Sequence, residues 1–224
     1  ISRTLSEYLV HNGVNQLAVA ETQKFGHVTY FWNGNNSVPF DTSLEDWIEI
    51  PSDKVSFDKK PEMKAREVCE VVVKDLEMKV HKFIRVNFAN GDMVGHTGSI
   101  EAAIRAIEIV DECIGRIETS AREAGATMVI TADHGNLEMM WEVDEKTGVT
   151  KLDGDGNPVV KTSHTLSPVP WCLVGAEADR FQPNTAVENP GLANIAATLL
   201  TLLGFVAPPD YLPSLVEPVV EVFD

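Results

Sequence analysis

Basic residues are scarce in this chain of 224 residues: 18 Lys and Arg stand against 34 Asp and Glu, a formal net charge of −16. That deficit argues against a nucleic-acid groove, because a phosphate backbone needs dense Lys and Arg. It argues equally against docking on anionic membrane surfaces. Cysteine is also scarce. Cys69, Cys113 and Cys172 are too few and too scattered for a disulfide framework or a thiolate metal site, and they read as buried free thiols. No apolar run approaches the roughly 18 residues of a membrane span, and the first residues carry no secretory pattern. Internal repeats and low-complexity stretches are missing as well. What remains is an ordinary globular composition, 44% apolar and 23% charged, in a chain long enough for a substantial core. An excess of carboxylates makes a cation the easier ligand to expect.

Short apolar runs alternate with longer amphipathic stretches. Thr4 to Asn12 reads as a helix ended by Gly13, residues 16–20 as a buried strand, and Glu21 to Lys24 as a loop. Residues 27–32 fit helix or strand. Trp47 to Ile50 reads as a strand stopped by Pro51, Glu62 to Val80 as a helix, and 83–88 as a strand of period two. Ile100, Ile104, Ile107, Val110, Ile114 and Ile117 recur at helical spacing and predict one apolar face of a helix ended by Gly125. Residues 127–131 and 171–174 read as strands, 141–160 as a turn-rich segment, and Leu192 to Leu203 as a helix stopped by Gly204. Strands separated by helices predict an α/β fold, a three-layer αβα sandwich with a mostly parallel sheet.

In such a sheet, functional groups gather beyond the C-terminal ends of the strands. Three strand ends lead into polar, glycine-assisted segments: Lys24 follows the first, Asp92 and His96 sit in Asn90-Gly91-Asp92-Met93-Val94-Gly95-His96, and Asp133-His134-Gly135-Asn136 follows residues 127–131. His164 lies in Thr162-Ser163-His164-Thr165. Of the other histidines, His11 reads as a helix-end residue, His81 as surface, and His27 stays open. Two Asp and three His form a mixed oxygen and nitrogen set that suits Mn²⁺, Zn²⁺, Co²⁺ or Fe²⁺ and not an all-oxygen Ca²⁺ or Mg²⁺ cage. Five ligands exceed one open tetrahedral site and fall short of two complete ones, so a pair of metals with one short of ligands is the natural reading. Lys24 reads either as a plain lysine or as a holder of an anionic phosphoryl group. Asp153-Gly154-Asp155-Gly156-Asn157 resembles a calcium loop but lacks its closing Glu, and reads as a surface turn.

The segments Ala20-Glu21-Thr22-Gln23-Lys24-Phe25-Gly26-His27-Val28-Thr29, Asn87 to Gly98, Thr131 to Asn136, and Thr162 to Thr165 with Pro168-Val169-Pro170 closely resemble the cofactor-independent phosphoglycerate mutases of the alkaline phosphatase superfamily. The resemblance runs over essentially the whole chain. It implies an alkaline-phosphatase-like fold and a dinuclear site, usually manganese, with cobalt or zinc as alternatives and no 2,3-bisphosphoglycerate. By motif match, Asp92, His96 and His164 bind one metal, Asp133 and His134 the other, and Lys24 contacts the phosphoryl group as a catalytic and substrate-binding residue. The implied reaction interconverts 3-phosphoglycerate and 2-phosphoglycerate through a phosphoserine, in glycolysis and gluconeogenesis, in a cytoplasmic monomer acting on a small molecule. The family's nucleophilic serine, a further metal-binding Asp and its glycerate-binding arginines have no match here; Ser99 reads as a helix cap and Ser163 as structural. The expectation is therefore that residues 1–224 form the C-terminal part of the metal-binding domain, without its first strands and without the glycerate-binding domain, and are inactive alone. Two rivals are another phosphomutase or phosphomonoesterase of the same superfamily, and a non-catalytic metal-binding module.

Overall fold

The computed structural model describes residues 1–219. Its first helix, α1 (Leu5–His11), begins where Thr4 in extended conformation accepts a hydrogen bond from the Glu7 amide, satisfying one of the orphan donors of the first turn. The chain then enters β1 (Gln16–Glu21), buried at all six positions. β2 (Glu45–Ile50) and β3 (Phe83–Asn87) flank β1, both parallel to it, so β1 is the central strand of a three-stranded sheet. A strand covered on both faces needs continuous apolar character, which Leu17-Ala18-Val19-Ala20 supplies.

The register puts Leu17 beside Ile84 and Val19 beside Val86. Those four side chains meet α3 (Ala65–Met78) and α5 (Ile100–Ala124) in one core cluster with Val68, Val72, Ile109, Cys113 and Ile117. On the opposite face, Ala18 and Ala20 meet Val28 of α2 (Thr22–Val28), while Phe83 joins Leu5 and Leu9 of α1 and Leu200 of α6 (Ile195–Leu202). Helices on both faces of a parallel sheet give the α/β, three-layer class expected.

Beyond α5 the architecture departs from one continuous parallel sheet. β4 (Thr127–Thr131) pairs with β5 (Trp171–Gly175), and the pair is antiparallel. Met128 of β4 packs on the same core cluster as Ile84 and Val86 of β3, yet among the described residues no ladder joins the two strands. β6 (Phe181–Pro183) and β7 (Val216–Pro218) form a small antiparallel pair at the periphery. Between β4 and β5, the turn-rich segment 141–160 folds back on itself through isolated bridges such as Trp141 to Val160, and Asp153 caps a surface turn by accepting from the Asp155 and Asn157 amides.

Three local expectations are corrected and one is refined. Thr22–Val28 is helical, not a loop. The buried face of α5 is Ala102, Ala103, Ala106, Ile109, Cys113, Ile117 and Ala121, while Ile100, Ile104 and Ile107 stay exposed. The small side chains lie against α3 and α4 because they permit close helix approach, so of the isoleucines only Ile109 and Ile117 reach the interior. Cys172 is exposed, the one position of β5 that is, while Cys69 and Cys113 are buried. His81 is half-buried, with its side chain only 8% exposed and not free on the surface: its Nδ1 meets Asp75 and its Nε2 lies 3.1 Å from Asp46.

Candidate metal centre

The glycine-assisted segment that carries Asp92 and His96 is helical. Asp92 lies on this short helix, α4 (Asn90–Gly95), and His96 is at its C-cap. Four residues on a helix bring two side chains to the same face, and Asp92 Oδ1 stands 3.0 Å from His96 Nε2. His164 arrives from far along the chain. The Gly135–Thr165 bridge, with the Thr165 amide 3.0 Å from the Gly135 carbonyl, straps its segment to the turn after β4. A Cβ at Gly135 would collide with Thr165 Oγ1 and Glu138, so the strap requires glycine there. The result places His164 Nε2 3.0 Å from Asp92 Oδ1 and 3.2 Å from His96 Nε2.

One carboxylate oxygen and two imidazole nitrogens thus converge on a single point. Ligand atoms bound to one ion at about 2.0–2.1 Å stand roughly 3.0–3.4 Å from each other. The observed spacing fits that, and lone pairs brought this close repel unless a proton or cation sits among them. The donor set therefore fits a borderline divalent cation. Asp92, His96 and His164 are the group of three metal-ligating side chains found among the described residues.

Asp133 and His134 lie at the same rim without forming a second group of three. Asp133 Oδ2 is 3.5 Å from His134 Nε2. The His134 ring stacks on His164, with centroids 3.5 Å apart and planes at 9°, and its Nδ1 faces the Gly135 carbonyl at 3.3 Å. Beside them opens a cavity of about 470 Å³ reaching Thr131, Pro168 and Trp171, room enough for a small polar molecule.

Lys24 is buried, not a plain surface lysine. It projects from α2 and holds Asp92 Oδ2 at 2.6 Å. Burial would raise the Asp92 carboxyl, but the Lys24 ammonium and the Asn136 amide outweigh it and pull it down to about 2. Asp92 is therefore ionised at any working pH, as a ligand must be. His27, left open by the sequence, lies within the same field: burial lowers its imidazole first, and the Lys24 charge adds to that.

Asn136 is the residue that the sequence reading passed over. Its amide Nδ2 is 2.8 Å from Asp92 Oδ1 and 3.3 Å from His96 Nε2. The available signal was its place directly after Asp133-His134-Gly135, on a loop already suspected of carrying ligands.

An α/β domain whose strand ends gather imidazoles and carboxylates defines a class, that of metal-dependent enzymes. A model of the Metalloenzyme superfamily matches residues 1–207, and the chain belongs to that superfamily. It is 47% identical over 217 residues to a probable 2,3-bisphosphoglycerate-independent phosphoglycerate mutase of Leptospira interrogans, covering 97% of this chain and 39% of that protein. A 2,3-bisphosphoglycerate-independent phosphoglycerate mutase of Trypanosoma brucei brucei is 46% identical over 218 residues, again 97% of this chain and 39% of the relative. Among solved structures, a Leishmania mexicana phosphoglycerate mutase studied at low cobalt concentration superposes with a TM-score of 0.92 at 45% identity, covering 97% of this chain and 40% of that one. The chain spans about two fifths of the length of these relatives.

Proposed function

We propose that the chain is the metal-binding part of a phosphoglycerate mutase that interconverts 3-phosphoglycerate and 2-phosphoglycerate without 2,3-bisphosphoglycerate. The observation that carries this reading is the convergence of Asp92 Oδ1, His96 Nε2 and His164 Nε2 within 3.2 Å, beside a buried lysine. The names of the relatives support the substrate.

On this reading Asp92, His96 and His164 hold one divalent cation, manganese by preference, with cobalt or zinc able to replace it. Asp133 and His134 are half of a second centre that needs further ligands. A bound cation polarises phosphoryl oxygens and neutralises charge on the group in transit. The chain's own residues do the rest. Lys24 keeps Asp92 ionised and sets a fixed positive charge at the rim, suited to an anionic substrate. His134, stacked on His164, fixes that ring's plane. The cavity beside Asp133 and Trp171 gives the transferred group space.

The nucleophilic serine and the residues that grip glycerate belong, in this proposal, to parts of the parent protein outside residues 1–224. Strands from those parts would add to the unpaired edges of β3 and β4. The parent enzyme would work as a monomer in the cytoplasm, in glycolysis and gluconeogenesis, on a small-molecule substrate.

Two measurements test this. Calorimetric titration of the 224-residue chain with manganese should give one tight site that Asp92→Ala abolishes; two equally tight sites contradict the assignment. Incubation of the purified chain with 3-phosphoglycerate should yield no 2-phosphoglycerate, and robust turnover would refute the division of labour.

A further inference from the structure

Both oxygens of Asp92 are already held by groups from outside its own helix. Oδ2 takes the Lys24 ammonium from α2 at 2.6 Å. Oδ1 takes the Asn136 amide from the turn after β4 at 2.8 Å. The same Oδ1 is the atom that faces His96 and His164. A carboxylate oxygen has two in-plane lone-pair directions. With the Asn136 N–H already donating to it, Oδ1 has part of its acceptor capacity left for whatever the two imidazoles also bind.

The placement of Asn136 is itself constrained. Its side chain is buried, with 8% of the residue exposed. Its backbone amide donates to Glu138 Oε2 at 2.9 Å and its carbonyl accepts from Met139 at 3.0 Å. Its carboxamide oxygen lies where a Cβ on Gly95 would fall, so the absence of a side chain at 95 makes the space it occupies. The amide end is thereby directed at Asp92 and the edge of His96.

We propose that Asn136 is a positioning residue of this metal centre: its N–H fixes the Asp92 carboxylate, so that Oδ1 would be presented to a cation together with His96 and His164. The inference rests on the metal-centre reading above and deepens it. Asn136 also ties the loop bearing Asp133 and His134 to the helix bearing Asp92, through Asp92 Oδ1 and through the Asp92 carbonyl at 3.4 Å. Groups that orient a ligand in this way change metal affinity about 10- to 100-fold when removed.

The test is cobalt titration of the 224-residue chain, followed by the visible absorption of bound cobalt, with thermal melting of the cation-free protein alongside. Asn136→Ala, and Asn136→Leu as a shape-filling second variant, should bind cobalt about 10- to 100-fold more weakly, with an altered band envelope. Variants that melt lower yet bind cobalt as the wild type does would reduce Asn136 to a structural residue and overturn the proposal. Independently of any variant, a crystal structure of the cobalt-loaded wild-type chain should keep the Asn136 amide within hydrogen-bond distance of the ligating Asp92 oxygen; withdrawal of that amide overturns the proposal too. A wild-type chain that takes up no cobalt is a separate result: it overturns the metal-centre reading before Asn136 is reached, and the inference falls with it.

Discussion

Replacing Lys24 with Met removes the ammonium held 2.6 Å from Asp92 Oδ2 and leaves a mostly buried carboxylate with the Asn136 amide and the two imidazoles as neighbours. Burial raises the Asp92 carboxyl; Lys24 above all, with Asn136 and His96 behind it, more than reverses this and holds it at about 2 against an ordinary 3.8. At about 1.4 kcal/mol per pH unit, that depression contributes about 2 kcal/mol of folding free energy at neutral pH. A depressed carboxyl adds stability that is fully present above its unfolded value, near 3.8, and is lost as pH falls through about 2. The variant lacks most of this contribution, and burial then pushes its carboxyl upward, so the expected loss is about 2–3 kcal/mol at pH 7. For a chain of this size that is roughly 4–12 °C in melting temperature. Urea unfolding in EDTA, repeated from neutral pH down toward about pH 2, should show the gap between wild type and variant closing below about pH 4. Adding Asp92→Asn to Lys24→Met should recover part of the loss, because a neutral amide costs less to bury than a lone carboxylate. A gap that stays constant with pH, or a double variant whose loss is the sum of the single losses, refutes the reasoning.

Arg85 and Glu45 are both buried, with Nη2 3.3 Å from Oε1 and the Arg85 Nε donating to the Val28 carbonyl at 2.6 Å. Arg85→Met removes the cation facing Glu45, leaving its buried charge with the Asn33 amide and the Phe40 N–H as donors, and should cost about 3–5 kcal/mol in urea unfolding; a cost below about 1 kcal/mol would show that the pair is not a structural requirement. Gly135→Ala forces a methyl into Thr165 and Glu138, and should cost about 1–3 kcal/mol while loosening the strap that brings in His164. Calorimetry should then show weaker manganese binding, and unchanged affinity would separate the strap from the site. Burial raises the Cys69 thiol and pushes the Cys113 thiol up to about 12, whereas Cys172 is exposed. Iodoacetamide at about pH 8 should therefore label Cys172 in the native chain and reach the other two only in denaturant, as read by mass spectrometry of the peptides. Rapid native labelling of Cys113 would contradict the packing of α3 on α5.

Legibility in the sequence followed the physics of each signal. β1, β3 and β4 were visible because an apolar run bounded by polar, glycine-rich segments has few other uses. Asp92, His96, Asp133 and His134 were visible as candidate ligands because they follow β3 and β4, and His164 because its motif matched. The Ile row of α5 predicted a helix correctly but did not mark its buried face: periodicity reports that side chains share a face, while the choice between two apolar faces is made by how closely a neighbour can approach, and Ala102, Ala103 and Ala106 allow the closer contact. His81 was misread because its partners, Asp75 and Asp46, come from other elements. Asn136 escaped for a related reason: an amide is a generic residue until its neighbour across 44 positions is known to be Asp92. The antiparallel direction of β5 was hidden as well, since hydropathy carries no sense of chain polarity.

The absence of a ladder between β3 and β4 has a consequence for how this chain comes apart. The half built on β1 and the half built on β4 share one apolar cluster, on which Met128, Ile84 and Val86 all pack, and a few side-chain hydrogen bonds such as Asn136 to Asp92 and Trp141 to the Gly98 carbonyl; among the described residues no row of amide bonds has to be unzipped to separate them. Apolar contacts can yield at one seam while each half keeps its own backbone bonding. Amides of β4 and β5 should therefore exchange with deuterium through an opening of lower free energy than those of β1, which is enclosed on both edges. A cation gripped by Asp92 and His96 from one side of that seam and His164 from the other would act as its clasp.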